Sequence, residues 1–492
     1  MSFLTECSLT IWPSVPSEEL EDSTVGSNAK IRRQKEFELL QPVTNLPGEF
    51  ATKRHDHLTA PLMTSDAHVE IGLTESGSQY GVLGQIISVQ QVYIENGNAH
   101  APDDDDLLYI NTNVPLSALV CGVQGSGKSH TVACILENMF IEDDPRIGSL
   151  SKSLSGLVLH MSEGGPSSSV NETAWVGLPL SRYTKTPNVD VYVSPSSLST
   201  MKAVYAHLGS NVHVKPLYFT EDELDAQAFL SMMAVGASDG APLYIQIVLS
   251  ILRDLGEHYS YKEFKNVLEQ KRKDFNPAQE AGLKQRMALL ESFMGQEKYR
   301  MTSTTRFAAG QLTIVDLSDP FIDPASACGI FEVITRLFVR TKINTGKVLV
   351  VDEAHKYLAS KNGSTGLTKA LLTLIREQRH KGMRVIISTQ EPTIVPSVLI
   401  DLCSVVIMHR FSSPSWWDHI MKHVSADLSS SDAFDRVVKL QTGEAIVLAP
   451  SGIFVQRKGS KPIVEQYGRR CLTVRMRQRI TNDGGSSIMV VG

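Results

Sequence analysis

Eight consecutive residues have the types and the spacing of a phosphate-binding loop. They read Gly-Val-Gln-Gly-Ser-Gly-Lys-Ser from Gly122 to Ser129 and fit the pattern G-x-x-x-x-G-K-[ST]. Glycines let the backbone curl until its N–H groups point at phosphate oxygens, and the dipole of a following helix adds to this attraction. Lys128 can place its charge on the β- and γ-phosphates, and Ser129 can offer a hydroxyl to Mg²⁺. The sequence therefore predicts a site for ATP and Mg²⁺ formed by Gly122, Gln124, Gly125, Ser126, Gly127, Lys128, Ser129 and His130.

Two adjacent carboxylates follow the apolar run 348–351. Asp352 can bind Mg²⁺ through its water shell, and Glu353 can polarise the water that attacks the γ-phosphate. Two acids at the end of a buried strand are costly to desolvate unless a cation or a substrate uses them. Asp352 alone would also suit the N-cap of a helix predicted over 354–359. Because the chain also carries a phosphate-binding loop, the pair favours a catalytic site.

Gln390 is a third candidate, since it follows the apolar run 383–389. A polar side chain at the tip of a strand beside the acidic pair suits a sensor of the γ-phosphate or of the attacking water. The alternative interpretation is a turn residue before Pro392.

Apolar, β-branched runs and helical segments surround these candidates. A strand-like run enters the loop directly, and the residues after Ser129 have helical spacing. Further strand-like runs occur at 154–161, 189–194, 312–318, 347–353, 383–389, 404–411 and 444–449. Such runs are typical of strands buried on both faces of a parallel sheet, so we expect an α/β fold with a mostly parallel sheet flanked by helices.

The rest of the chain divides by composition and periodicity. We predict a disordered arm over 1–65, a β-rich lead-in over 66–112 with runs at 69–73, 80–89 and 91–94, and an ATPase core over 113–492 that carries a helical insertion at about 220–300. Near the C-terminus, arginines alternate with apolar residues, which predicts a strand with one basic face: Arg469, Arg470, Arg475, Arg477 and Arg479. That face either contacts phosphates, a pore or another subunit, or is simply solvated.

Composition narrows the classes of function. With 47 Lys and Arg against 53 Asp and Glu, the net charge of -6 argues against a surface that is basic throughout. The six cysteines lie far apart without a Cys-x-x-Cys pair, which argues against a zinc knuckle and a disulfide framework. No window approaches the ~18 apolar residues of a membrane helix. We therefore expect a soluble intracellular protein of the cytoplasm or nucleus, without membrane partners.

The sequence from Lys347 to Phe411 resembles the HerA/FtsK branch of P-loop motor ATPases, particularly HerA-like proteins. The likeness covers residues 115–450 and is most specific in the phosphate loop and in 346–411. Members carry a helix ending in Arg-Lys-x-Gly, a strand ending in Thr-Gln and a strand ending in Arg. The matching residues here are Arg379-His-Lys-Gly382, Thr389-Gln390 and His409-Arg410.

This resemblance implies a RecA-like fold, a homo-oligomeric ring, a hexamer in the family, and movement or unwinding of DNA. It also implies that Arg379 reaches the γ-phosphate of a neighbouring subunit, with Arg376 and Arg410 as alternatives. DNA as partner rests on the resemblance alone. A nucleotide-controlled regulatory or protein-remodelling ATPase that uses no nucleic acid remains the alternative.

Two other classes fit less well. The tetrapeptide from Asp352 to His355 reads DEAH, but the ~100 residues after Gln390 are too few for the second RecA-like domain of a DEAH-box helicase. A small-molecule kinase is also disfavoured, because the acidic pair with a downstream glutamine suits water as the acceptor.

Overall fold

The computed structural model describes most of the chain beyond residue 54. The described residues are 55–73, 79–90, 106–142, 144–165, 168–233, 243–272, 275–295, 306–358, 366–424, 431–458 and 461–484. Residues 1–54 of the arm predicted over 1–65 lie outside the described residues. The whole predicted run at 91–94 also lies outside them.

Sixteen strands of the described residues join one mixed sheet. In chain order they are β1 (Leu62–Thr64), β2 (Tyr80–Gln90), β3 (Leu107–Asn111), β4 (Ser117–Cys121), β5 (Gly148–Ser149), β6 (Ser155–His160), β7 (Asn188–Val193), β8 (Val212–Pro216), β9 (Gln311–Asp316), β10 (Lys347–Val351), β11 (Met383–Thr389), β12 (Val405–Met408), β13 (Glu444–Leu448), β14 (Ile453–Lys458), β15 (Lys461–Gln466) and β16 (Cys471–Met476).

The order of the strands across the sheet is β15-β14-β1-β3-β2-β16-β13-β12-β4-β11-β10-β6-β9-β7-β8, and β5 pairs with β2. From β12 to β8 every neighbouring pair is parallel. On the other side of β12 most pairs are antiparallel. The predicted RecA-like α/β class is confirmed. The continuous run of parallel pairs lies in the half that carries the candidate residues, and on the other side of β12 the pair of β1 and β14 is also parallel.

Helices cover the sheet. They are α1 (Ser65–Glu70), α2 (Lys128–Phe140), α3 (Leu198–Tyr205), α4 (Ala226–Met232), α5 (Leu243–Leu255), α6 (Tyr261–Lys271), α7 (Pro277–Ser292), α8 (Pro324–Arg340), α9 (Gly366–Arg376), α10 (Gln378–Lys381), α11 (Ser397–Asp401), α12 (Pro414–His423) and α13 (Ser431–Lys439). Among the helices that the structure describes, none is long and apolar enough to cross a membrane.

The central strands are buried on both faces, as the apolar runs predict. Leu349 and Val351 of β10 join the core cluster that contains α8 and α9, while Val348 and Val350 join the cluster that contains α2. Successive side chains of a strand point to opposite faces, so a continuous apolar run supplies both cores. The acidic pair comes at the point where this run ends.

Three expectations about elements are wrong. The run 444–449 forms β13, which is antiparallel to β12 rather than parallel. Two helices, α12 and α13, lie between β12 and β13 along the chain, and β13 begins at the edge where β12 ends. The run 69–73 is the end of α1 and a turn instead of a strand, because Thr64 and Asp66 accept hydrogen bonds from the amide of Ala67 and start a helix.

The predicted basic face near the C-terminus is the third. Cys471 to Met476 do form a strand, but Arg477 and Arg479 turn inward, with side chains only 10% and 2% exposed. Both lie beside Glu137 of α2, which is fully buried. The amide groups of Ile480 and Thr481 also donate to Glu137. The arginines therefore neutralise a buried carboxylate rather than forming one exposed basic row.

Candidate functional site

The phosphate-binding loop connects β4 to α2. Strand β4 ends at Cys121, and α2 begins at Lys128 directly after the glycines. Gly127, the N-cap of α2, has φ of 110°, a value that side-chain-bearing residues rarely adopt. At Gly122 a Cβ atom would come within 2.7 Å of Cβ of His409. Glycine is thus required at the start of the loop for space and at its end for conformation.

Lys128 is buried inside this loop. Its Nζ donates to the carbonyl oxygen of Val123 at 3.0 Å, and the residue is 5% exposed. Burial lowers the pKa of Lys128, while the nearby charges of Glu353 and Asp352 oppose that shift. The ammonium group and the acidic pair are therefore close enough to interact across the site.

The other loop residues differ in exposure. Gln124 and Gly125 are exposed, whereas Ser126 is buried and donates from Oγ to the carbonyl of Val123 at 2.7 Å. Ser129 is half-buried. The half-buried ring of His130 contacts the carbonyl of Arg477 through Nε2 at 2.9 Å and the carboxylate of Asp483 through Nδ1 at 3.3 Å. These contacts connect the first turn of α2 to the segment after β16.

Strand register brings the phosphate loop, the acidic pair and Gln390 to one edge of the sheet. Strand β11 lies between β4 and β10 and is parallel to both. Thr389 pairs with Cys121, and Ile387 pairs with Val351. Because parallel strands end at the same edge, the residues that follow all three strands lie side by side.

Side-chain hydrogen bonds from His160, Asn171 and Ser388 hold the carboxylate of Asp352. The carboxylate oxygen Oδ2 accepts from Nδ1 of His160 at 2.9 Å and from Nδ2 of Asn171 at 2.9 Å. Burial acts to raise the pKa of Asp352, but the contacts with His160, Asn171 and Ser388 outweigh it and hold that pKa below its usual range. Asp352 is therefore ionised, as a metal ligand must be.

Glu353 has an unusual backbone conformation. Its φ is 50°, and within the described ranges no other residue except glycine has a positive φ. This left-handed conformation ends β10 and starts the 3₁₀ turn Ala354–Lys356. Such strained residues are typical of functional sites.

The carboxylate of Glu353 contacts Gln390 and His355. The amide Nε2 of Gln390 donates to both oxygens of Glu353, at 2.9 and 3.1 Å. The ring atom Nδ1 of His355 lies 3.4 Å from Oε2 of Glu353. Burial lowers the pKa of His355. Gln390 is thus in direct contact with the candidate base, as a sensor requires.

His409, at the end of β12, is a site residue that sequence reasoning did not single out by chemistry. Its Nδ1 donates to the carbonyl of Glu444 at 2.9 Å, and its Nε2 accepts from Oγ1 of Thr131 at 2.9 Å. Burial lowers the pKa of His409 to about 4, and the charges of Lys128 and His130 add to the effect. The neutral ring therefore packs against the phosphate loop with both nitrogens bonded.

His160 and Asn171 are likewise contacts of Asp352 that we did not predict. A signal for His160 was present, because it ends a strand-like run whose tip is polar, as Gln390 does. Asn171 lies in a loop far from Asp352 in sequence, and no local pattern indicates that contact.

The arginine candidates lie in different places. Arg379 is exposed on α10, immediately before β11 begins, so the seven residues of β11 separate it from the phosphate-loop edge. At ~3.3 Å per residue this is roughly 23 Å. Arg376 is exposed at the end of α9. Arg410 is exposed at the loop edge itself, since its carbonyl accepts from the amide of Val123 at 3.0 Å. Arg379 does not reach the site of its own chain.

The residues present fit a magnesium-loaded triphosphate. The glycine-rich loop has no room for side chains at Gly122, which is what a backbone cradle for phosphates needs. An ionised carboxylate at Asp352 and a hydroxyl at Ser129 are hard oxygen donors, the class that Mg²⁺ prefers. Lys128 supplies positive charge that interacts with the acidic pair.

Comparison with known proteins finds remote structural similarity only. No protein-family model matches the chain, and no curated protein matches it. Among solved structures, the chain is similar to VirB4 of Thermoanaerobacter pseudethanolicus, with 13% identity, a TM-score of 0.44, and coverage of 81% of this chain and 96% of that one. The bacterial conjugative coupling protein TrwB is similar at 11% identity with a TM-score of 0.40, covering 82% and 98%.

The genome packaging NTPase B204 from Sulfolobus turreted icosahedral virus 2, in complex with AMP, is similar at 12% identity with a TM-score of 0.29, covering 69% of this chain and 94% of that one. These neighbours are P-loop ATPases of the HerA/FtsK type, the type that the sequence motifs resemble. The similarity is remote, so the function proposed below depends on the geometry of the site residues.

Proposed function

We propose that this chain is an ATP-binding and ATP-hydrolysing P-loop motor of the HerA/FtsK type. The observation that carries this proposal is the meeting of Lys128, Asp352, Glu353 and Gln390 at one edge of the parallel sheet. A phosphate-binding loop alone would fit many nucleotide-binding proteins. The acidic pair and the glutamine beside it add the groups that activate water.

Each residue has a role in this proposal. The backbone amides of the loop and Lys128 bind the β- and γ-phosphates, and Ser129 and Asp352 would hold Mg²⁺. A bound Mg²⁺ would neutralise charge that develops on the phosphate oxygens. Glu353 accepts a proton from the attacking water, while Gln390 fixes the position of the Glu353 carboxylate. Water adds to the γ-phosphorus as the bond to the bridging oxygen breaks, which gives ADP and inorganic phosphate.

The position of Arg379 supports a ring. Because this exposed side chain lies at the sheet edge opposite its own phosphate loop, it serves a nucleotide only if a second copy is adjacent. We propose that it stabilises the transition-state charge in trans, in a closed homo-oligomer of six subunits that acts on DNA. Light scattering in the presence of ATP tests the ring. A species near six subunits supports it, whereas a monomer under all nucleotide conditions removes both the ring and the trans role.

Phosphate release and equilibrium ATP binding test the core of the proposal. We expect hydrolysis by the unmodified protein and loss of turnover in Lys128→Ala, with ATP affinity at least ~10-fold weaker because the phosphates lose a charge-assisted contact. Lys202→Ala, which removes an exposed lysine of α3, is the matched control and should behave as the unmodified protein. Unchanged turnover in Lys128→Ala would exclude the assigned role.

The rate of phosphate release with single-stranded DNA, with double-stranded DNA and without DNA, at fixed salt, tests the choice of polymer. A motor on DNA should turn over faster on its track, and the stimulation should weaken as salt rises. If neither DNA changes the rate, the alternative of a regulatory or protein-remodelling ATPase replaces the DNA motor.

A further inference from the structure

We propose that His160 and Asn171 are positioning residues that hold the carboxylate of Asp352 in the orientation required for Mg²⁺. The inference rests on the proposed function, because that function assigns the metal to Asp352. Both side chains donate to the same oxygen, Oδ2, and both distances are 2.9 Å. His160 ends β6, while Asn171 precedes the 3₁₀ turn Glu172–Gly177. Two donors from separate elements fix the position and the rotation of the carboxylate.

The protonation states follow from these contacts. Asp352 is 8% exposed, and its Oδ2 accepts from both side chains. Nδ1 of His160 must therefore carry the proton and donate it. Asn171 donates through its amide nitrogen in the same way.

A chain of buried hydrogen bonds holds Asn171 in turn. The backbone amide of Asn171 donates to the hydroxyl of Tyr205 at 3.1 Å, and that hydroxyl donates to Oδ2 of Asp316 at 2.7 Å. Burial raises the pKa of Tyr205 well above its ordinary value, so the phenol keeps the proton that it donates. The amide of Ser318 donates to Oδ1 of Asp316 at 3.0 Å. The loop residue Asn171 is thereby connected to β9.

The side chain of Asn171 also caps the 3₁₀ turn, through an atom that does not contact Asp352. Its side-chain oxygen accepts from the backbone amide of Thr173 at 3.0 Å and from the Thr173 hydroxyl, which caps the 3₁₀ turn. Serine is also a good cap, but its side chain is too short to reach Asp352. Asn171→Ser therefore removes the contact with Asp352 and leaves an acceptor for the cap.

His160 offers a matched pair of substitutions. Asparagine has an amide nitrogen close to the place of Nδ1 in histidine, so His160→Asn keeps a donor for Asp352. His160→Ala removes it and leaves Oδ2 with one donor fewer. A merely structural role would affect both variants through stability. A positioning role predicts that only the loss of the donor changes the response to Mg²⁺.

The test measures binding of a non-hydrolysable ATP analogue to the full chain as Mg²⁺ is titrated, together with analogue affinity without Mg²⁺ and the unfolding midpoint. We expect the Mg²⁺ concentration for half-maximal enhancement to rise at least ~10-fold in His160→Ala and in Asn171→Ser, because outer contacts of a metal ligand typically change metal affinity by this amount. His160→Asn should stay within about threefold of the unmodified protein. Affinity without Mg²⁺ should not change.

The outcomes separate this inference from the proposed function. If Mg²⁺ does not change binding of the analogue to the unmodified protein, both the positioning roles and the proposed function are overturned. Mg²⁺-dependent binding that is the same in the unmodified protein, His160→Ala and Asn171→Ser overturns the positioning roles and leaves the proposed function intact. Equal losses in His160→Ala and His160→Asn also overturn the role of the His160 donor.

Discussion

The side-chain amide of Gln390 donates to both carboxylate oxygens of Glu353, at 2.9 and 3.1 Å, from the strand that separates β10 from the phosphate-loop strand β4. Glu353 itself sits at φ of 50°, so its backbone is strained while its carboxylate is held. The candidate base is therefore placed by contacts from a neighbouring strand and not by its own strand alone.

Gln390→Ala removes this contact, and we expect turnover to fall ~100-fold while ATP affinity stays within about threefold, because the base loses its position but the phosphates keep their loop. Gln390→Glu should be at least as inactive, since it places a second carboxylate against Glu353. Steady-state phosphate release and equilibrium binding give both numbers. The neighbouring substitution Glu391→Gln is the control, and a Gln390→Ala variant as active as this control would rule out the contact as a positioning device.

Arg379→Ala should bind ATP normally and lose turnover, because the side chain that stabilises transition-state charge would come from the adjacent subunit. Mixing Arg379→Ala with Glu353→Gln then restores activity, since a site that joins an intact glutamate to a neighbour's intact arginine is complete. Random assembly of an equal mixture gives such pairs at about a quarter of the sites. Activity that does not rise on mixing, although mixed oligomers form, contradicts action in trans.

The contact between Arg477 and Glu137 should matter for stability. Glu137 is fully buried and accepts from Arg477 at 2.6 Å, so Arg477→Ala removes the closest positive charge from a buried carboxylate. We expect a loss of roughly 3 kcal/mol in the free energy of unfolding, measured with urea. Arg475→Ala is the matched control: its exposed side chain pairs with Glu444 at the surface and should cost no more than ~1 kcal/mol. Equal losses of unfolding free energy for the two substitutions would show that burial does not increase the contribution of the ion pair to stability.

His409 should make the protein sensitive to acid. Its pKa of about 4 in the folded state lies below the ordinary value of 6.5, so the unfolded chain binds the proton more readily. Stability is thus fully present above pH 6.5 and falls as the pH drops towards 4, by roughly 2 kcal/mol at pH 5. Urea unfolding at pH 7 and pH 5 should show a smaller difference for His409→Gln than for the unmodified protein. His258→Gln changes an exposed histidine and should keep the full difference.

The sequence was sufficient for the parts of the fold whose signal is local. The phosphate loop is recognised by a fixed short pattern. The strands β10 and β11 are recognised as apolar runs with glycine before them and polar residues after them, so their element types follow from a few residues. The direction of β13 was not accessible in this way, because it depends on the path that the chain takes through α12 and α13 and not on the residues of the strand. The helix at residues 65–70 was missed because a cap at Thr64 outweighed β-branched residues.

Contacts between distant segments explain most of what sequence reasoning missed at the site. His160 and Asn171 reach Asp352 from other elements, and Arg477 reaches Glu137 across more than 300 residues. The alternation of arginines around Arg475 indicated a strand correctly but not which of its charges are buried. The acidic pair could be assigned to one site with the phosphate loop because both follow strand-like runs.

The most direct test of the central claim compares Glu353→Gln with the unmodified protein in two assays, binding of ATP with Mg²⁺ and release of inorganic phosphate in a single turnover. If Lys128 and the acidic pair act on one magnesium-loaded triphosphate, Glu353→Gln binds ATP with unchanged affinity and its turnover falls at least ~100-fold. Phosphate release by Glu353→Gln at the rate of the unmodified protein would contradict the account.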